Sequence, residues 1–495
     1  MRHALSAFLL VAASSAAFAQ AQPTAQTQTS GPILTLEEAV QLALRNNPTH
    51  LQSLSARDRS GASLRSAYGA FLPGVSSSLS GSFRKGGSDV FQGQQFGAAS
   101  DRLSSGYQIG VSANYSVRSL LQPGVARANL SATEADVTRS AASTRSSVVT
   151  QYLNVLQAQA TAALQDTLLA NAQAQLELNR AREQVGATTS LEVRRSEVTV
   201  GQARVSLLRE RNNVENQLQR LFQEMGIDRT EGVRLTTTFA ITEPTVQLAE
   251  LMDMARRANP SLLAAEARQN AAEASVRQAR GSYLPSLNLS TGFSGNTLQE
   301  TNIEPSIAQA ALSAEASRRS CLTTDSIRLG AGLAPRGTCD QIAFTDADAA
   351  AMRAANEQFP FNFNKSPFGY TVSLSLPIFN GFQREEQIQV ATSQRNDARY
   401  AVRAQQLQMT TEVSTAHRNL LTQYQTVQLQ QLTRAAAQQA LDLAVERYRV
   451  GATTFVEVSQ ARADFEREST ALINATYEFH KAYAELERAV GRPLR

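Results

Sequence analysis

Few residues in this 495-residue chain could do covalent or metal chemistry. Its two cysteines, Cys321 and Cys339, lie close together, and it has four histidines. His50, His417 and His480 stand apart from one another, and none begins a zinc-binding pair. No nucleophile elbow and no phosphate loop occurs. The expectation is a protein that is not an enzyme and carries no cofactor or metal, with the histidines on helix surfaces or in packing. A formal charge of +4, dispersed along the chain, gives no basic patch for nucleic acid.

What the cysteines do depends on the compartment. Residues 1–19 read as a signal peptide: Arg2 is the positive start, Leu5 to Ala13 the apolar core, and Ala17-Phe18-Ala19 a small-x-small cleavage site. In an exported chain Cys321 and Cys339 default to a structural disulfide, worth about 3 kcal/mol for a loop of this size. A metal pair is the alternative, with no histidine or third cysteine nearby to support it. Asp346 and Asp348 lack the glycine and final glutamate of a calcium loop and read as solvated loop acids.

The elements that position these residues follow from a duplication. Val185-Gly186-Ala187-Thr188-Thr189 recurs as Val450-Gly451-Ala452-Thr453-Thr454, 265 residues later. Each copy has a Gly for a left-handed helix stop and a Thr where the next helix needs a cap. Upstream, Leu36, Asn47-Pro48 and Leu72-Pro73 match Leu248, Asn259-Pro260 and Leu284-Pro285 at an offset of 212. The chain is therefore one unit repeated, with an insertion in the second copy. The expected division is a disordered lead-in over 20–32, a first repeat over 33–226, a linker over 227–247, and a second repeat over 248–495. The insertion falls at about 296–365, between the second copy's two strands.

Each repeat opens with a short helix ended by Asn-Pro and a helix of about 23 residues. Then the period changes from helical to two. Val75, Leu79 and Phe83, and then Tyr107, Ile109, Val111, Ala113, Tyr115 and Val117, alternate with small polar residues. Leu287, Leu289 and Phe293, and Tyr370, Val372, Leu374, Leu376 and Ile378, do the same in the second half. These strands have the length of tilted membrane strands, about 9 to 12 residues. A helix from Pro123 to the Gly186 turn would be about 95 Å long. Beyond the turn, Val193, Val200, Leu207, Val214 and Leu221 keep a strict spacing of seven. So do Val458, Phe465, Leu472, Phe479 and Leu486 in the second copy, a coiled-coil signature.

The helix before the strands and the helix after the turn, stacked end to end, would match the long helix between them. Each repeat then becomes two helical columns about 90 to 100 Å tall, ending in two strands. Four strands per chain cannot close a membrane barrel, so copies must share one. Three copies give twelve strands and a wet lumen suited to the small polar face.

The order and duplication of these motifs resemble the TolC family of outer-membrane factors. The resemblance rests on Leu34-Thr35-Leu36-Glu37-Glu38-Ala39 through Asn47-Pro48, the Leu-Pro before each first strand, Leu376-Pro377-Ile378-Phe379-Asn380-Gly381, and the two Val-Gly-Ala-Thr turns. It implies a mainly α chain with a β membrane part. Three chains would form a twelve-stranded barrel in the outer membrane of a Gram-negative bacterium, continued by a periplasmic α-barrel. That homotrimer would be the exit duct of an efflux pump or type I secretion system. Its implied partners are a periplasmic adaptor, an inner-membrane pump or ABC exporter, and outer-membrane lipid.

The resemblance also implies roles. Val185, Gly186, Ala187 and Thr188, with Val450, Gly451, Ala452 and Thr453, fall at tips that adaptors contact. Glu192 and Glu457 fall where acids line the periplasmic mouth, and Tyr448 where a tyrosine helps hold it shut. Two positions depart from the pattern: Gln460 replaces a second acid, and Thr453 a basic residue. A secreted coiled-coil scaffold without a pore would also account for the heptads and signal peptide, but not for the four alternating strands.

Overall fold

A computed structural model describes residues 33–87, 89–91, 94–96, 100–236 and 239–494. The signal peptide and lead-in lie outside the described residues. The chain opens with β1 (Ile33–Leu34), α1 (Leu36–Asn46) and α2 (Pro48–Gly69). Next come β2 (Gly74–Arg84), β3 (Asp89–Phe91), β4 (Gln94–Phe96) and β5 (Arg102–Ser116). The first hairpin is α3 (Val117–Gln184) and α4 (Ser190–Met225), and β6 (Arg234–Leu235) follows it. The second half holds α5 (Leu248–Ala258), α6 (Pro260–Arg280), β7 (Ser286–Glu300), α7 (Glu304–Gly330), α8 (Asp346–Asn356), β8 (Asn364–Lys365) and β9 (Gly369–Ser375). It ends in the second hairpin, α9 (Gln383–Arg449) and α10 (Phe455–Val490).

The long helices have 68 and 67 residues, each about 100 Å at 1.5 Å per residue. α3 packs along α2 and α4, and α9 along α6 and α10, so each repeat is the expected pair of columns. The heptad residues face inward: Val193, Val200, Leu207 and Leu221 are buried in one copy, and Val458, Phe465, Phe479 and Leu486 in the other. α3 begins at Val117, the residue expected to end the second strand and six residues before the Pro123 start expected from sequence. Ser116 and Ser119 form a reciprocal cap there, so Pro123 sits inside the helix.

The elbow where α2 meets the end of α4, and α6 the end of α10, is built on the same plan in both repeats. Asn47 accepts from the amides of Thr49 and His50, capping α2, and its Nδ2 donates to the Glu224 carbonyl at 2.8 Å. Asn259 caps α6 through Leu262 and donates to the Ala489 carbonyl, also at 2.8 Å. Next to each acceptor a glycine reverses the chain with positive φ, Gly226 at 71° and Gly491 at 87°. Thr35 and Glu38 cap α1 reciprocally, as their spacing predicts. β1 pairs in parallel with β6 beside this elbow. Leu34, Val40, Tyr152, Leu221, Phe222 and Met225 form its buried core.

The four main strands form one antiparallel sheet in the order β2-β5-β7-β9. Register puts Val75 beside Val111 and Leu79 beside Tyr107. It sets Ile109 beside Phe293, and Tyr115, Leu287 and Leu374 in one row. The opposite face carries the rows Ser78–Gln108–Ser294, Ser112–Ser290–Thr371 and Asn114–Asn288–Ser373. One face is thus apolar and the other small and polar. The apolar face is uncovered: Val75, Leu79, Phe293, Tyr370 and Leu374 are exposed. β5 and β7 have 15 residues each, longer than expected, and an Arg102–Glu300 ion pair at 3.0 Å closes their far ends. β9 ends at Ser375, so Leu376 and Ile378 lie beyond the strand. None of the described helices is long and apolar enough to cross a membrane.

α7 and α8 lie between β7 and β8, and α7 has 27 residues. Cys321 on α7 is bonded to Cys339. Their sulfurs lie near Asp325, but sulfurs bonded to each other offer no thiolate to a metal. The Asp325 carboxylate instead accepts from the Arg336 amide at 2.9 Å, folding the strap back on the helix. Asp348 is not a free loop acid: it forms a reciprocal cap with Thr345 at the start of α8. His50 and His480 are buried packing residues, and His417 contacts the Val246 carbonyl at 3.3 Å.

A Cβ on Gly226 would lie 2.5 Å from the Asn46 carbonyl oxygen, whereas one on Gly186 meets nothing within 4 Å. Both have φ of 71°, so alanine costs each about 1–2 kcal/mol of left-handed strain. Gly226→Ala must also displace the elbow backbone. It should lower the thermal unfolding midpoint clearly more than Gly186→Ala; equal midpoints would show that the elbow yields freely.

Candidate functional site at the hairpin tips

The two hairpins end in matching turns. α3 closes with Gly186 donating to the Glu183 carbonyl and Ala187 to the Arg182 carbonyl, at 2.9 and 2.8 Å. α9 closes likewise, Gly451 to Tyr448 and Ala452 to Arg447, at 3.1 and 2.8 Å. This paired arrangement requires the left-handed glycine. Val185 and Val450 protrude, each 77% exposed. The caps differ from expectation. Thr189 and Thr454 hold the N-cap positions but make no side-chain capping bond. The threonine one residue earlier bonds to the glutamate instead, Thr188 to Glu192 and Thr453 to Glu457.

Glu192 and Glu457 thus occupy equivalent sites with different partners. Glu457 also receives Arg447 Nη1 at 3.2 Å, in an exposed ion pair. Glu192 receives the Tyr448 hydroxyl from the other hairpin at 2.9 Å. That hydroxyl lies 3.1 Å from Asn179 Oδ1, which also accepts from Gln175. Asn179 in turn donates to Ser196 Oγ at 2.6 Å. Tyr448 is buried against Phe455, their ring centroids 6.2 Å apart. Arg182 lies over the Tyr448 ring, 5.0 Å from its centroid, and donates to the Tyr448 and Arg449 carbonyls.

The tips therefore bring Thr188, Glu192 and Tyr448 into one network, and Thr453 and Glu457 into another. Val185, Gly186 and Ala187, with Val450, Gly451 and Ala452, form the outer surface. Cys321 and Cys339 belong to the segment between β7 and β8 and take no part. Arg182, Asn179 and Ser196 were missed from sequence. Arg182 had a signal, since Arg447 matches it across the repeat; Asn179 matches Ala444 and had none.

The outer membrane efflux protein family matches residues 39–226, 251–321 and 344–492. The chain belongs to that family. Within the matched span, the two gaps are the linker around β6 and a stretch that takes in the end of α7 and the strap after it. Solved structures share the fold. A membrane protein from Pseudomonas aeruginosa aligns with a TM-score of 0.67 at 19% identity, over 92% of this chain and 90% of its own. The CmeC outer membrane channel of Campylobacter jejuni gives 0.67 at 16%, over 92% and 85%. The open state of the Neisseria gonorrhoeae MtrE outer membrane channel gives 0.65 at 16%, over 93% and 89%. No curated protein sequence matches the chain significantly. As a family member it is an outer membrane efflux protein.

Burial, and then the hydrogen bond to Glu192, raise the Tyr448 phenol above its ordinary value of 10.0. Folding thus favours the neutral phenol. Its contribution is whole below pH 10.0 and fades as pH climbs through the raised folded value. Tyrosinate absorbance of the native protein, less that of Tyr448→Phe, should show a single step above pH 10.0. A step at or below that pH would mean the ring stands open to water.

Proposed function

We propose that three copies of this chain form a continuous duct across the outer membrane and into the periplasm, serving as the exit of an efflux pump. The observation that carries this reading is the sheet. Its apolar face is exposed, its other face is small and polar, and β2 and β9 end it on open edges. Unpaired backbone groups are costly in lipid, so β9 of one copy pairs with β2 of the next until the ring closes. Eight strands would leave an interior filled by side chains, and twelve leave a lumen. The helical columns, about 100 Å tall, then surround the same axis.

The tips face the periplasm and meet an adaptor through exposed Val185 and Val450, flanked by Gly186, Ala187 and Thr188 and by Gly451, Ala452 and Thr453. Energy comes from an inner-membrane pump joined through that adaptor. Glu192 and Glu457 give the mouth six carboxylates and a preference for cations. Arg447 offsets part of the Glu457 charge.

Purified full-length protein should run as a trimer in detergent and produce stepwise conductance in planar bilayers. A monomer without conductance would leave only a coiled-coil scaffold. In a salt gradient, Glu457→Ala should move the single-channel reversal potential toward lower cation selectivity, and Arg447→Ala toward higher. An unmoved potential in both would remove this pair from the conduction path.

A further inference from the structure

The duplication makes Arg182 and Arg447 equivalent, yet they do different things. Arg447 stays within its own hairpin and pairs with Glu457 at 3.2 Å. Arg182 leaves its hairpin. Its Nη1 donates to the Tyr448 carbonyl at 3.1 Å and its Nη2 to the Arg449 carbonyl at 3.4 Å. Both carbonyls belong to the last turn of α9; that of Tyr448 also accepts from the Gly451 amide, and a continuing helix would have supplied an amide to that of Arg449. A cation there is also favoured by the negative end of the helix dipole. The same guanidinium lies 5.0 Å over the Tyr448 ring.

The ring is therefore held from two elements of the other hairpin. Arg182 on α3 covers its face and backbone. Glu192 on α4 takes its hydroxyl at 2.9 Å, with Asn179 at 3.1 Å. Phe455 closes the side toward α10. A planar fork that stacks and donates to two carbonyls at once is a task for arginine, which a lysine point charge performs poorly. Position 453, where a basic residue was expected, is Thr453, bound to Glu457.

Building on the duct reading, we propose that Arg182 is the positioning residue that latches the two hairpin tips of one chain together, and that the mouth widens within a chain only when its contacts to Tyr448 and Arg449 break. The in-chain seam between the hairpins is thus fastened from α3 onto the end of α9. Arg447 is not a second latch.

The test is single-channel recording of the full-length protein in planar bilayers. Arg182→Ala should raise the open-to-closed ratio on the order of tenfold, the scale of one lost hydrogen bond to a charged group. Arg182→Lys should fall between the two, and Arg194→Ala, which removes an exposed arginine paired only with Glu197, should leave the ratio unchanged. As a second arm, Arg182→Cys with Arg449→Cys, bridged by a short cleavable bis-thiol reagent, should hold the duct closed until reductant is added. The native chain in the same reductant controls for the Cys321–Cys339 bond. An Arg182→Ala trimer with the native ratio would overturn the latch, as would a bridged duct that gates like the native one. If the native chain itself gives no conductance, the duct reading fails, and the latch with it.

Discussion

Two rows of backbone donors and acceptors, on the outer edges of β2 and β9, have no partner among the described residues. In water such edges are tolerable. Beside lipid each unpaired group costs several kcal/mol, about as much as a large apolar side chain gains by burial. The exposed apolar face points the sheet toward lipid, and the open edges deny that environment to a lone chain. Closure among copies reconciles the two. In the duct proposed above, six hairpins hung from one ring would stand side by side, which fits the unbroken 68 and 67 residues of α3 and α9.

The sheet could not direct those columns without the elbow. Asn47 and Asn259 each do two jobs, capping one helix and holding the end of another. Removing such a cap costs about 1 kcal/mol. It would also strand a carbonyl that no helical amide can reach. The two sequence offsets meet at this contact: Asn47 and Asn259 are related by 212, and Glu224 and Ala489 by 265. Nearly all the extra residues of the second repeat lie in the segment holding α7 and α8. They leave the elbow untouched because they emerge at the opposite end of the strands.

Most of this architecture was legible in the sequence because it is periodic or punctuated. Strict sevens marked α4 and α10, alternation marked β2, β5, β7 and β9, and Asn-Pro and Val-Gly marked the chain reversals. What escaped detection was local competition. The Ser116–Ser119 cap outweighed Pro123 as the start of α3. Thr188 and Thr453 took the glutamates that Thr189 and Thr454 had no part in. Asp348 became a cap because Thr345 stood three residues before it. The tip residues were placed by the repeat, but their partners were not. Tyr448 to Glu192 is a contact across 256 positions, and nothing in either local sequence points to the other.

Duplication followed by divergence gives the tips their particular character. Six identical hairpins would make six identical seams, and any contact that closed one would close all. In this chain Glu183 of the first copy corresponds to Tyr448 of the second, and Asn179 to Ala444. Those two replacements turn one hairpin into an acceptor of the other's aromatic ring. Asn179 and Glu192 meet its hydroxyl, and the Ala444 side leaves room beside Tyr448 in a small apolar cluster with Phe455 and Val458. In the proposed ring, the seam inside a chain would then be chemically unlike the seam between chains. Two kinds of seam alternating around a ring can be held with different strengths, which a strictly sixfold mouth could not achieve.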